Sequence, residues 1–133
     1  MITNKIIKIA SSSSNVGLTN KYSFKSNLTN SICGDKIKLE LTSKNLKIKS
    51  MRYETESCVY CEASASLLAQ RIKNLNINSI IKDLNALKHI NKNQKFTFPT
   101  NFKDFKILIH KGNLSRINCI NLPFDAVLKA LQK

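Results

Sequence analysis

Long hydrophobic runs are missing from this 133-residue sequence. No stretch of about 18 consecutive apolar residues occurs, and the sequence therefore predicts no membrane-spanning helix. Residues 1–14 include an apolar stretch that Lys5 and Lys8 interrupt, which is too broken for a secretory signal peptide. No internal repeat or linker is evident either. We therefore expect one cytoplasmic domain over residues 1–133, with 42% hydrophobic residues to form its core.

Arginine is scarce for a chain whose net charge is +14. Only three of the 22 basic residues are arginines, and few aromatic residues lie near the lysine-rich segments. Sequence-specific nucleic-acid recognition commonly uses arginine forks and stacking aromatic rings. Lysine, asparagine and isoleucine are abundant throughout, and an A/T-rich genome would suffice to explain that bias. We therefore expect no specific nucleic-acid partner, and an acidic protein surface matches the charge better.

A second CxxC motif is absent, although the sequence has four cysteines. In a reducing cytoplasm, cysteines are more often metal ligands or reactive thiols than disulfides. Cys58 and Cys61 form one CxxC pair directly before a predicted helix. A redox pair of this kind usually follows a parallel strand, and a zinc ribbon needs a second pair. Neither context is predicted here, and we interpret Cys61 as a small buried residue.

Polar and apolar residues alternate in the middle of the chain. Lys36–Thr42 alternates between charged and apolar side chains, which predicts a strand. Ser43–Asn45 supplies turn residues, and Lys47–Ser57 is predicted to be the return strand. The alternation of this second strand slips between Ile48 and Met51, which indicates a β-bulge.

Apolar residues at helical spacing predict several helices elsewhere. The predicted segments are helices over Ile2–Ala10, Val59–Ile72, Ile77–Leu87 and Phe102–Ile109, a short strand over Tyr22–Lys25 and a loop over Lys92–Pro99. Gly112 and Asn113 would stop the helix before them. A last helix would begin near Asn121, with Pro123 and Asp125 in its first turn. Strands followed by helices indicate an α+β fold.

A hairpin that turns near Asn45 would bring distant cysteines together. Cys33 would lie opposite the end of the return strand and beside Cys58, at the roughly 4.5–5.5 Å spacing of cross-strand neighbours. Asp35 can add a carboxylate, and Cys58 starts a helix whose dipole favours a thiolate. Cys119 lies two residues ahead of the last predicted helix and could present its thiolate in the same manner. Three thiolates and a carboxylate match the ligands of a tetrahedral zinc or iron site.

Four motifs follow one another along the chain. They are Asn15-Val16-Gly17, Cys33-Gly34-Asp35, Cys58 followed by the small and apolar segment Ala63–Leu68, and Arg116-x-x-Cys119 before a closing helix. This order resembles the NifU N-terminal/IscU-type iron–sulfur scaffold family over nearly the whole chain. The resemblance implies a small three-stranded antiparallel sheet with helices packed on it, and a site at one edge of that sheet.

The resemblance also implies a role for each candidate residue. Cys33, Cys58 and Cys119 match the family's three ligand cysteines, and Asp35 matches its acidic residue, so all four are expected metal ligands. Such proteins accept sulfur from a cysteine desulfurase and either build a 2Fe-2S cluster for recipient apoproteins or, in a zinc-bearing branch, relay persulfide sulfur. We expect Cys119 to accept the sulfur. We also expect a scaffold rather than a turnover enzyme, as a monomer or weak homodimer.

Departures from the family pattern leave the metal open. Gly112–Ser115 stands where the chaperone-served branch has Leu-Pro-Pro-Val-Lys, and Asn118 stands where the cluster-building branch usually has histidine. Arg116 and the long stretch between Cys58 and Cys119 suit the zinc-bearing branch. A protein of another class, a basic binding module with a purely structural zinc, is the remaining alternative. Partial solvent access at the cysteines would separate the two classes, because structural zinc sites are closed.

Overall fold

The computed structural model describes residues 3–90 and 97–132. In chain order its elements are α1 (Asn4–Ala10), β1 (Phe24–Thr29), β2 (Lys36–Lys44), β3 (Lys47–Glu56), α2 (Val59–Arg71), α3 (Ile77–His89), two 3-10 segments (Thr100–Ile107 and Lys111–Arg116) and α4 (Ile117–Leu131). The strands form one antiparallel sheet in the order β1-β2-β3, so the predicted α+β class and three-stranded sheet are confirmed. None of the described helices is long and apolar enough to cross a membrane.

The alternation seen in the sequence gives the sheet one apolar face. Leu39 pairs with Tyr53 and Leu41 pairs with Met51 across the β2–β3 ladder, and all four side chains are buried. The helices α2 and α4 pack against each other and against this face, which completes one hydrophobic core. Because α2 and α4 share this packing, their first residues lie near the same end of the sheet.

The β2–β3 hairpin turns through two residues with left-handed backbone. Asn45 has φ 55° and Leu46 has φ 64°, the signs that a type I′ turn requires. Thr42 pairs with Ser50 and Ser43 pairs with Ile48, which leaves one extra residue on β3. This irregularity lies within the segment where the sequence predicted a bulge, and that prediction is confirmed.

The outer face of the sheet holds down the segment that follows α1. Arg52 donates hydrogen bonds to the carbonyls of residues 14, 16 and 17. The Glu40 carboxylate, 4% exposed, accepts hydrogen bonds from the Thr19 amide at 2.7 Å and the Asn20 amide at 2.9 Å. The two side chains are direct cross-strand partners and together fix residues 14–20 on the sheet. The placement of residues 14–20 on the outer face of the sheet was not predicted from the sequence.

Several predicted boundaries are wrong, because tertiary contacts set them. The first strand runs over Phe24–Thr29 rather than Tyr22–Lys25, since it follows the antiparallel register with β2. The predicted helix over Phe102–Ile109 is a 3-10 segment with a non-helical residue at Phe102. Ile2 of the first predicted helix and residues 92–96 of the predicted loop lie outside the described residues.

The start of the last helix also differs from the prediction. Gly112 and Asn113 lie inside the second 3-10 segment instead of ending a helix, and the buried Asn113 amide donates to the Leu108 carbonyl at 3.0 Å. This segment leads directly into α4, which therefore begins at Ile117 rather than near Asn121. As a result Pro123 lies within α4 and not in its first turn.

Candidate metal centre

Three separate elements deliver the predicted ligands to one end of the sheet. Cys33 and Asp35 lie in the turn that joins β1 to β2, Cys58 is the N-cap residue of α2, and Cys119 lies in the first turn of α4. Gly34 has φ +76°, and a Cβ at this position would meet no atom within 4 Å. The glycine is therefore needed for the backbone conformation of the turn and not for space.

The side chains of all four predicted ligands converge. The Sγ atoms of Cys33 and Cys119 are 3.4 Å apart. The Cys58 Sγ lies 3.5 Å from Oδ2 of Asp35, whose Oδ1 accepts the Cys58 backbone amide at 3.1 Å. Ligand atoms of Cys33, Asp35 and Cys119 lie within 4.8 Å of one another. Thiolates with one carboxylate are a donor set that suits Zn²⁺ or iron.

The route by which the cysteines meet differs from the predicted one. Cys33 does not lie opposite the end of β3, because the β1–β2 hairpin places residues 30–35 in a turn outside the β2–β3 ladder. Cys119 does not precede the last helix but lies inside it, because α4 begins at Ile117. The three cysteines therefore come from a turn, a helix N-cap and a helical first turn.

Burial differs among the candidate ligands. Cys33 is exposed and Cys58 is partly buried, whereas Cys119 is 4% and Asp35 is 5% exposed. Burial raises the pKa of the Cys119 thiol, and hydrogen bonds to Cys33, Asp35 and Cys58 raise this pKa further. The raised pKa favours the protonated thiol in the metal-free site, and a metal that binds this sulfur must displace the proton. The site is therefore buried at Asp35 and Cys119 and accessible to solvent at Cys33.

Both helices that begin at the site lack a side-chain cap. Neither Cys58 at the start of α2 nor Arg116 at the start of α4 makes a side-chain capping hydrogen bond. By contrast Thr3 caps α1 and Asn76 caps α3. The positive ends of two helix dipoles thus face the cysteines, and this favours thiolates and other anions there.

Cys61 lies one turn into α2 and is fully buried, so the predicted burial of this residue is confirmed. Burial raises the pKa of its thiol to about 12, although a hydrogen bond with Ser57 acts in the opposite direction. The cluster formed by Cys33, Asp35 and Cys119 includes neither the Cys61 sulfur nor the Cys58 sulfur, although Cys58 contacts Asp35 at its edge.

Buried serines that the sequence analysis did not assign to the site fix the position of α4. The Ser64 hydroxyl donates to the Ile120 carbonyl at 2.7 Å, directly after Cys119. The Ser26 hydroxyl donates to the Ala126 carbonyl at 2.6 Å. In the sequence, Ser64 was noted only as part of the small and apolar segment Ala63–Leu68. Serines spaced among alanines on a buried helix face are the signal that could have indicated these anchors.

A groove of about 600 Å³ adjoins the open side of the site. Its walls include Ile32, which precedes Cys33 and is 78% exposed, and Asn118, which precedes Cys119. The Asn121 Oδ1 atom in this wall is buried and has no hydrogen-bond partner among the described residues. A partner that approaches Cys33 would therefore meet an apolar side chain and amide groups first.

Comparison with known proteins adds family information to this geometry. The family described as the NifU-like N terminal domain matches residues 1–111, which include Cys33, Asp35 and Cys58 but not Cys119. The iron-sulfur cluster assembly scaffold protein IscU of Thermotoga maritima is 26% identical over 102 residues, which are 76% of this chain and 71% of that protein. The zinc-dependent sulfurtransferase SufU of Bacillus subtilis is 25% identical over 107 residues, which are 80% of this chain and 73% of that protein.

Solved structures show the same fold. A NifU-like protein (N-terminal) from Brucella abortus superimposes with a TM-score of 0.87 at 18% identity, over 97% of this chain and 90% of that one. A putative iron-sulfur cluster assembly scaffold protein for the SUF system from Fervidobacterium islandicum AW-1 superimposes with a TM-score of 0.77 at 19% identity, over 98% and 96% of the two chains.

Proposed function

The chain belongs to the NifU-like N-terminal domain family, and from this membership we propose that it receives sulfur at its cysteine site and carries an iron–sulfur cluster assembled there. The observation that supports the proposal is the convergence of three thiols and one carboxylate at a site where Cys33 is exposed and Cys58 is partly exposed. A site that both accepts and releases its cargo needs this partial access, whereas a structural zinc site does not.

Sulfur would arrive as the persulfide of a cysteine desulfurase. A thiolate of this chain attacks the outer sulfur of that persulfide, and the desulfurase thiolate leaves. Cys33 is the exposed thiol, so we propose that it meets the donor first. Cys119, 3.4 Å away, remains the residue predicted to hold the sulfur, and the pair can pass it by the same exchange.

Cys33, Cys58, Cys119 and Asp35 would hold the iron of a 2Fe-2S cluster as cargo. Of these four, the Asp35 oxygen is a hard ligand among soft sulfurs and would exchange most readily. The hydrogen bond from the Cys58 amide keeps the Asp35 carboxylate turned towards the site. We propose that release of the cargo to a recipient apoprotein begins at this ligand.

A second candidate is a zinc-bound sulfur relay, supported by the similarity to SufU and by Asn118 beside Cys119. Zinc bound to the same four residues would keep the thiols deprotonated and therefore nucleophilic. In this case the chain would carry sulfur without building a cluster, and its activity would be that of a sulfurtransferase.

One experiment separates the two candidates. Protein is purified without oxygen, and its iron, zinc and acid-labile sulfide are measured before and after incubation with a cysteine desulfurase, cysteine, ferrous iron and dithiothreitol, which reduces the persulfide sulfur to sulfide. A scaffold acquires iron and sulfide in equal amounts and develops the visible absorption of a 2Fe-2S cluster. A relay keeps one zinc per chain and accelerates cysteine turnover by the desulfurase. A protein that does neither contradicts the proposed function.

A further inference from the structure

One thiol beside the site has no role in the function proposed above. Cys58 is the N-cap residue of α2, with φ −72° and ψ 168°, and Cys61 is the third residue of the helix. The N-cap side chain of a helix folds over the first turn towards this third position, and the side chains of these two positions meet in a capping box. Here both positions are cysteines. The Cys58 side chain makes no capping hydrogen bond, and its thiol donates instead to Oδ2 of Asp35 at 3.5 Å.

The surroundings of Cys61 separate it from solvent but not from the site. The residue is 0% exposed, and its thiol lies within hydrogen-bonding reach of Ser57. Negative charge on Asp35, Cys58 or Cys33 raises its pKa further, so these groups lie within electrostatic range. External oxidants therefore reach Cys61 poorly, while a sulfur on Cys58 lies one helical turn away.

The chemistry of the cargo requires a reductant. The outer sulfur of a persulfide is at the oxidation level of elemental sulfur, whereas the bridging sulfur of a cluster is sulfide, which is two electrons more reduced. A CxxC dithiol at a helix N-terminus is a common two-electron donor in proteins. We propose that Cys58 and Cys61 are such a pair, which reduces sulfur accepted at the site to sulfide. This inference rests on the proposed function, because that function supplies the sulfur.

A single round of this reduction needs only the two thiols and the accepted sulfur. The sulfur first passes to Cys58 by exchange, which gives a Cys58 persulfide. The Cys61 sulfur then attacks the inner sulfur of this persulfide, so that a Cys58–Cys61 disulfide forms and the bond to the outer sulfur breaks. The outer sulfur takes the electron pair of that bond and leaves as hydrogen sulfide with the two thiol protons. An external dithiol must then reduce the disulfide before the next cycle.

A single-turnover measurement tests this step. Metal-free protein receives one equivalent of radiolabelled persulfide sulfur from a cysteine desulfurase, with no free thiol present. Wild type should release the label as sulfide and acquire a Cys58–Cys61 disulfide, which peptide mass spectrometry identifies. Cys61→Ala, which fills the same buried position, should retain the label on the protein and release roughly tenfold less sulfide until dithiothreitol is added. Equal release by the two proteins overturns the proposal.

A second measurement needs no sulfur donor, so it distinguishes failure of the pair from failure of the proposed function. The double variant Cys33→Ser, Cys119→Ser keeps only Cys58 and Cys61 and is equilibrated with mixtures of reduced and oxidised dithiothreitol. An intramolecular disulfide should form in a two-electron transition, visible as resistance of both thiols to alkylation. Alkylation of Cys61 in every mixture refutes the pair. Disulfide formation here, combined with no uptake of label by wild type, keeps the pair and rejects the sulfur-accepting function.

Discussion

The two ends of the β2–β3 ladder differ in burial and in charge. The site end contains the candidate ligands and charges of both signs. Glu56 and Glu54 of β3 pair with Lys36 and Lys38 of β2, and Glu62 of α2 lies nearby. The hairpin end contains the Asn45-Leu46 turn and the lysines around it, which are Lys44, Lys47, Lys49 and Lys73. Asp35 and Cys119 are at most 5% exposed, whereas Leu46 is 68% exposed. The lysines that dominate the composition thus lie at both ends of the ladder and do not mark the candidate site.

The largest effect is expected from single substitutions at the site end. Cys33→Ser, Cys58→Ser and Cys119→Ser should each remove most of the bound metal, because each takes one thiolate from a set of four ligands. Cys61→Ser should retain it, since Cys61 is fully buried within α2, whereas the Cys58 sulfur contacts Asp35. Metal content of anaerobically purified proteins measures this, with Lys47→Ser at the hairpin end as a control. Loss of metal in Cys61→Ser equal to that in Cys58→Ser would show that the ligand assignment is wrong.

Replacement of Asp35 should change the lifetime of the cargo rather than abolish it. Asp35→Ala leaves three thiolates, so zinc affinity should fall by at least the roughly 10–100-fold that loss of a hydrogen-bonding partner of a ligand costs. If the cargo is a cluster, loss of the most exchangeable ligand should instead slow transfer to an apoprotein and let the loaded form accumulate. A zinc competition titration and a cluster-transfer time course measure the two effects. Unchanged results in both would remove Asp35 from the site.

The buried thiol at the site end should make stability fall in alkaline solution. The pKa of Cys61 is raised from 9.0 to about 12, so above about pH 9 the unfolded chain loses this proton and the folded chain keeps it. The free energy of unfolding of metal-free protein should therefore decrease by about 2–3 kcal/mol between about pH 9 and pH 11 from this group alone. Urea unfolding of wild type and Cys61→Ala measures it. Parallel pH profiles for the two proteins would contradict the burial argument.

A substitution in the turn at the hairpin end should raise the stability of the protein. Leu46 adopts φ 64°, a left-handed conformation that costs a residue with a side chain about 1–2 kcal/mol, and glycine adopts it freely. Leu46→Gly should therefore stabilise the protein by about 1 kcal/mol, since the exposed side chain loses little packing. Thermal unfolding measures the change. A destabilised Leu46→Gly protein would mean that the leucine makes contacts that outweigh its strain.

The smallest effect is expected from the lysines of the hairpin end on sulfur transfer. The nine residues of β2 separate the two ends by roughly 30 Å, which is several times the Debye length of about 8 Å at physiological salt. Replacement of Lys44, Lys47 and Lys49 by glutamine should change the transfer rate from a desulfurase by less than about twofold. A rate that falls by an order of magnitude and depends strongly on salt would show that the partner docks on this basic end.

The sequence predicted the middle of the fold better than its edges. The alternation in β2 and β3 was predictable because one face of each strand is buried, which gives a local period of two residues. The slip in this alternation near Ile48 also indicated the irregularity of the ladder. Glu40 shows the limit, because its alternation predicted an exposed residue, whereas backbone amides of residues 19 and 20 enclose it. Segments whose shape depends on distant contacts, such as the 3-10 turn that the Asn113 amide supports, carry no periodic signal.

The sequence predicted which residues form the candidate site but not how the fold brings them together. The motif order identified Cys33, Asp35, Cys58 and Cys119 before any distance was known. Their meeting depends on the β1–β2 pairing and on the early start of α4, and both follow from tertiary packing. The burial of Cys61 was predicted from the sequence. Its position as the third residue after the N-cap Cys58 became known only from the start of α2 in the structure.

Pro123 has a consequence for how the site moves. Proline has no amide hydrogen, so α4 lacks the backbone hydrogen bond that would otherwise reach the Cys119 carbonyl four residues earlier. The first turn of α4 is correspondingly less tied to the rest of its helix, and the Ser64 hydroxyl ties it to α2 at the next carbonyl. We therefore expect amide exchange in the turn that carries Cys119 to follow α2 more closely than the body of α4. Cys58 and Cys119 would then shift together when the helices slide, and the spacing of the two thiols would survive motions that displace the C-terminal half of the last helix.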